Sequence, residues 1–251
     1  MANSPTGDTM AERIVRVLDT FSGDRTVQTA AQIGRRSGLP SSTAHRIVDE
    51  LVRAGLLERD DEHRVRLGMR LWELALRGSS ALRLRQAALP FMTTVQARVR
   101  EHTQLAVLEQ DEALFVERLS HPEAGANITR IAGRLPLHAS SSGLVLLAYG
   151  PEDLRRRVLA GPLLAVSTET ITDRTVLARV LDDIRRVGYV VAPGSIESVS
   201  TGIAVPIRDA GSAVIAALSM VLPRDAPTAG PLDELRRASA GISAALAAEP
   251  R

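Results

Sequence analysis

Residues able to do chemistry are few, and their spacing argues against catalysis. Five histidines stand at positions 45, 63, 102, 121 and 138, with no H-E-x-x-H pair or tight cluster to hold a metal. No cysteine occurs in the 251 residues, which removes disulfides, thiolate metal sites and a thiol nucleophile together. G-x-S-x-G, G-x-G-x-x-G and a Walker lysine are all missing, and His138 with Ser142 has no third partner for a hydrolase triad. Neither an enzyme nor a metal or cofactor site is expected. Two other groupings remain. Ser42, Thr43, His45 and Arg46 bring short polar and cationic side chains together, as contacts to base edges and phosphates require. Ser140, Ser141 and Ser142 precede an apolar run, where hydroxyls and helix N-terminal N–H groups can meet a carboxylate or simply cap the helix. His138, beside Pro136, reads as a structural histidine bonded to a backbone carbonyl.

The elements that would position the first grouping are well marked. Met10, Ile14, Val17, Leu18 and Phe21 space out one helical stripe over 10–21, with Asp8 or Thr9 as its cap. Thr29 and Gln32 fit a capping box for a second helix, which must end at Ser37 because Gly38 suits a left-handed residue and Pro40 follows. A third helix, capped by Ser41 or Ser42, buries Ala44, Ile47, Val48 and Leu51 and turns Ser42, Arg46 and Arg53 the other way. Leu57, Val65 and Leu67 then alternate around a charged turn as a short hairpin. Three helices, a Gly-x-Pro turn and a hairpin in this order are the parts of a winged helix-turn-helix. The predicted DNA contacts are Arg35, Arg36, Ser41, Ser42, Thr43, His45 and Arg46, with Arg64 and Arg66 on the wing. The plainer alternative is a helical bundle with a solvated charged face.

Overall charge does not decide between them. The isoelectric point of 9.8 accompanies a formal charge of only +2, because all 31 basic residues are arginine. Local charge is informative: between Asp24 and Asp49 there is no acidic residue, whereas Arg25, Arg35, Arg36 and Arg46 all fall there. No run approaches the length of a membrane span, and the opening MANSPTGDTMAER lacks a signal peptide's basic and apolar blocks, so a cytoplasmic location without membrane contact is expected.

Residues 68–101 read as helical, interrupted at Gly78-Ser79-Ser80 and at Pro90. Strands are predicted at 103–109, 113–119, 127–131, 202–207 and 214–221, and helices at 142–148, 153–160, 172–187 and 232–248. The predicted class is α+β: a DNA-binding domain over 1–78, including the start of a linker helix, then an effector domain over 79–251 with a mixed or antiparallel sheet.

Gly38-Leu39-Pro40-Ser41-Ser42-Thr43-Ala44-His45-Arg46, then Leu51, Gly55-Leu56, and Arg66-Leu67-Gly68 with Leu71, resemble the N-terminal domain of IclR-type regulators. Pro136-Leu137-His138-Ala139-Ser140 with Gly143 and Leu146-Leu147-Ala148, the stretch from Leu181 to Tyr189, and Ile203-Ala204-Val205-Pro206 resemble later blocks of the same family. The resemblance implies a GAF-like effector domain controlling a winged helix, in dimers joined at the N-terminal domains and often paired into tetramers. It also implies an effector site at Ser141, Ser142, Ser200, Gly202 and Ser219. Two positions depart from the family pattern: Leu144 stands where a lysine is common, and Ser195 where a glutamate is, with Glu197 two residues on.

The expected function is ligand-controlled, sequence-specific transcription regulation of a small-molecule catabolic operon, repression being the default sign and activation left open. Expected partners are a roughly palindromic double-stranded operator, a second copy or four copies of the chain, and an aromatic or small organic acid, its amide or its hydrazide. The rival is a small-molecule sensor that does not touch DNA.

Overall fold

Two capping boxes start the first two helices. In the computed structural model, which describes residues 7–77, 79–125 and 127–248, the Thr9 hydroxyl accepts from Glu12 N and the Glu12 carboxylate accepts from Thr9 N, opening α1 (Met10–Leu18). Thr29 and Gln32 repeat this at α2 (Ala30–Ser37), which ends at Gly38 with φ 66°. Helix α1 stops short of Phe21, because the Thr20 hydroxyl folds back to donate to Val17 O and a turn closed by Ser22 and Arg25 follows. Helix α3 (Ser41–Arg53) begins without a serine cap. Pro40 is the N-cap, its carbonyl accepting the first helical bond from Ala44 N at 2.9 Å, so Ser41 and Ser42 are helical residues whose hydroxyls have no partner among the described residues.

Strand β1 (Gln28–Thr29) pairs with β3 (Arg64–Leu67), which pairs with β2 (Leu57–Arg59), all antiparallel. Asp60 closes the β2–β3 hairpin by accepting from Glu62 N, Arg64 N and Arg64 Nε. Val17, Ile33, Ala44, Ile47, Val48 and Val65 are wholly buried between these elements. Helix α4 (Met69–Leu76) follows and buries none of its residues. The chain divides into two compact units after Ser79.

The second unit is built on one antiparallel sheet. Its strands are β4 (His102–Glu109), β5 (Glu112–Leu119), β6 (Arg134–Pro136), β7 (Val190–Pro193), β8 (Ser200–Arg208) and β9 (Val214–Pro223), in the order β6-β5-β4-β9-β8-β7. Its helices are α5 (Ser80–Val99), α6 (Ser141–Tyr149), α7 (Glu152–Ala160), α8 (Arg174–Val187) and α9 (Ala229–Ala248). Residues 127–131, predicted as a strand, join no ladder; the Asn127 side chain accepts from Thr129 N and Oγ1 and turns the segment. Pro90 does not interrupt α5. A proline inside a helix costs about 3 kcal/mol, and burial of Leu84, Met92 and Val95 at roughly 1.5–3 kcal/mol each offsets it.

Side-chain alternation gives the sheet two different faces. Leu105, Ile203, Val205, Leu218, Met220 and Leu222 point to one side and pack with α5 and α9. The other side carries Ala106, Gly202, Ala204, Ala217 and Ser219, all small, and there α6 is seated with eight of its nine residues buried. The close approach has a second requirement: a Cβ at Gly143 would lie 2.6 Å from both Cα and O of Leu137. Gly143→Ala is therefore expected to destabilise the second unit by about 2 kcal/mol, seen as a lower urea midpoint at unchanged m-value; a midpoint equal to wild type would contradict this seating of α6.

Candidate DNA interface and effector pocket

In α3 the buried stripe Ala44, Ile47, Val48 and Leu51 leaves Ser41, Ser42, His45 and Arg46 exposed and Thr43 half-exposed on the free side. Arg35, in the last turn of α2, is also exposed. Arg36 points elsewhere: its guanidinium donates to Gln28 Oε1, and the Gln28 amide donates in turn to Thr20 O at 3.0 Å and Thr20 Oγ1 at 3.1 Å. That chain ties α2 to the end of α1. The acid-free sequence window is not acid-free in space, because Glu50 reaches back one helical turn to Arg46 at 3.2 Å. On the wing Arg64 meets Asp60 at 2.9 Å and Glu62 at 3.1 Å, and Arg66 meets Glu58 at 2.9 Å. The Met69 N–H and then the Arg66 guanidinium hold the Glu58 carboxyl below the ordinary glutamate range. These pairs are solvent-exposed and screened by water, so a phosphate can take the place of the carboxylate at modest cost.

The second unit holds a narrow cavity of about 40 Å³ where the N-terminus of α6 meets β8, β9 and β4. Ser140 caps α6 by accepting from Gly143 N at 3.0 Å, leaving the N–H groups of Ser141 and Ser142 at the buried helix end. Ser141 lines the cavity, and its hydroxyl has no hydrogen-bond partner among the described residues. Gly202 lines it opposite; a Cβ there would lie 2.7 Å from Ser141 Oγ. Ser142 lines it too, but its hydroxyl donates to Ser219 Oγ at 2.7 Å. Ser219 itself lies behind the wall, donating to Gln104 Oε1 at 3.5 Å. Ser200 lines the mouth, with its hydroxyl bonded to Glu197 O at 3.2 Å. Ser195 lines the cavity and donates to Ala139 O at 2.5 Å, while Leu144 is buried in the core behind it.

Sequence reasoning missed the far side of the cavity, formed by Gln104, Phe115, Asn127, Thr129 and Ile196. The alternation of β4 put Gln104 opposite Leu105 in a readable way. Asn127 and Thr129 fall in a segment whose residue types suit a strand, so nothing in the sequence marks them as lining residues. His138 is buried and bonds Leu164 O through Nε2 at 2.9 Å, a structural role. Among the described residues no cluster of metal-ligating side chains occurs and no helix is long and apolar enough to cross a membrane.

Two family models cover this arrangement: the IclR helix-turn-helix domain matches residues 10–61, and the bacterial transcriptional regulator IclR C-terminal domain matches residues 78–243. The chain belongs to the IclR family. It is accordingly a transcriptional regulator with a helix-turn-helix DNA-binding domain, which decides against the sensor that does not touch DNA. Among IclR-family relatives, the HTH-type transcriptional regulator XynR of Escherichia coli strain K12 is 31% identical over 241 residues, spanning 94% of this chain and 96% of that protein. The p-hydroxybenzoate hydroxylase transcriptional activator of Acinetobacter baylyi is 28% identical over 210 residues, spanning 81% and 77%. An IclR homolog from Microbacterium hydrocarbonoxydans, solved in complex with 4-hydroxybenzoate, is 60% identical with a TM-score of 0.91, covering 95% of this chain and 99% of that one.

The hydrogen bonds separate structural serines from free ones. Ser219→Ala leaves the buried Ser142 hydroxyl without its acceptor and is expected to cost about 1–3 kcal/mol, whereas Ser141→Ala, which breaks no bond, is expected within about 0.5 kcal/mol of wild type. Urea unfolding of both variants measures this, and equal losses would refute the division.

Proposed function

We propose that this IclR-family regulator controls an operon for an aromatic acid, reading its operator through Ser41, Ser42, Thr43, His45 and Arg46 and binding an effector of the 4-hydroxybenzoate class beside α6. The observation that carries this reading is 4-hydroxybenzoate in the homolog with 60% identity, taken with a cavity of matching chemistry in this chain. Phe115, Leu135, Ile196 and Val221 supply apolar walls for a ring. No lysine or arginine is among the lining residues, so a carboxylate would be met by the N–H groups of Ser141 and Ser142 and the free Ser141 hydroxyl. The amide or hydrazide of the same acid would use the same donors without the benefit of charge.

The DNA-binding part is read as residues 1–78 and the effector part as 79–251, acting in the cytoplasm. Arg35 would add a phosphate contact, Arg64 and Arg66 would do so on leaving their carboxylates, and Arg36 would serve chiefly as the tie to Gln28. Control follows if the effector has different affinity for the DNA-competent and incompetent arrangements, for it then shifts operator affinity by that ratio. Arg46→Ala is expected to weaken operator binding at least about tenfold and to lower the salt slope by about one if the contact is to phosphate. Gel retardation across a salt series, with and without 4-hydroxybenzoate, tests both halves; no retardation at any salt, or retardation indifferent to Arg46, would sink the DNA reading.

A palindromic operator requires at least a dimer. Leu67, Met69, Trp72, Leu74 and Leu76 around α4 are each about half exposed, an apolar surface in keeping with self-association. Trp72→Glu is expected to convert the dimer to monomers in sedimentation velocity and to abolish cooperative operator binding, with the melting temperature of the second unit unchanged.

A further inference from the structure

Asn127 lines the cavity and carries a donor that no described residue satisfies. Its Oδ1 accepts from Thr129 N at 2.9 Å and from Thr129 Oγ1 at 2.8 Å. A backbone N–H can only donate, so this fixes which end of the carboxamide is oxygen and turns Nδ2 away from Thr129. Nδ2 is fully buried and has no acceptor among the described residues, a state that proteins seldom leave unmatched. The group is also firmly held: Thr129 Oγ1 accepts from Gln104 Nε2 at 2.6 Å, and Arg118 donates to Thr129 O.

Gln104 supplies the complementary half. Its Nε2 is committed to Thr129, while its Oε1 receives only a long bond from Ser219 at 3.5 Å and keeps acceptor capacity. Asn127 and Gln104 thus line the same side of the cavity with one unsatisfied donor and one under-used acceptor. A hydroxyl is the small group that both accepts and donates. Position sets which hydroxyl. Gln104 lies on β4 and Gly202, against Ser141, on β8, with β9 between them. Two strand spacings are about 10 Å, the scale of one aromatic ring with its two para substituents.

We infer that Asn127 Nδ2 and Gln104 Oε1 form a hydroxyl subsite that selects para-hydroxylated aromatic acids over unsubstituted ones. The inference rests on the aromatic-acid reading above, with the carboxylate at the α6 N-terminus.

Calorimetry on the full chain with 4-hydroxybenzoate and with benzoate tests it, using wild type, Asn127→Ala and Asn127→Asp. The aspartate variant retains an acceptor for Thr129 but has no N–H, so the segment keeps its fold while the donor is lost. Wild type is expected to prefer 4-hydroxybenzoate, and that preference to fall about tenfold in both variants, since the aspartate charge opposes the two carboxylates alike. Equal losses for the two ligands would show that Asn127 merely shapes the wall and would overturn the subsite, as would no loss for either. A wild type that binds both acids equally also overturns it and leaves the aromatic-acid reading standing; a wild type that binds neither overturns that reading with it.

Discussion

Helix α6 lies against the sheet only because positions 106, 202, 204, 217 and 219 carry nothing larger than serine on that face. Burial of Leu144, Val145, Leu146 and Leu147, at roughly 1.5–3 kcal/mol each, drives the seating. It carries three consecutive serines into the interior along with the apolar residues. Buried hydroxyls are costly unless bonded, and the cost is met unequally: Ser140 is used by Gly143 N and Ser142 by Ser219, whereas Ser141 is left free at the helix end. The packing that builds the core therefore also leaves a set of unspent donors at one point, and the cavity forms there.

The same logic runs along the hydroxyl and amide chain from Ser142 through Ser219, Gln104 and Thr129 to Asn127. Each member is bonded to its neighbour, Gln104 Oε1 only at 3.5 Å, and the terminal Asn127 N–H has no acceptor among the described residues. A chain of this kind has fixed polarity, since the Thr129 backbone N–H can only donate, and so it ends in an N–H rather than an oxygen. The wall of the cavity is held in place by bonds made within the protein.

In the first unit the governing effect is weak electrostatics. Arg46, Arg64 and Arg66 are each matched by a carboxylate on the same helix or hairpin. Exposed pairs of this type contribute little to stability, but they cancel charge locally, so the free field is smaller than the arginine count implies. On the proposed reading, binding to DNA would exchange one partner for another and favour sites where several phosphates and base edges are met together.

Local chemistry was legible in the sequence. The Thr29–Gln32 capping box, the left-handed Gly38, the buried stripe of α3 and the alternation of β4, β8 and β9 follow from neighbours a few residues apart. Family membership was legible too, because it lies in the order of motifs. The sequence could not show that Pro40 displaces the serine cap of α3, since both choices satisfy local rules, or that α5 continues through Pro90, since the compensation comes from α9 and the sheet. Pairing between residues distant in the chain was decided only by the tertiary structure: Glu117 under Arg85 at 2.6 Å, Ser219 behind Ser142, and Asn127 turned into a cavity from a segment that pairs with no strand. A hydroxyl or amide has no periodicity to announce its partner. Whether it is a strut or a binding group depends on which distant acceptor the fold brings within about 3 Å of it.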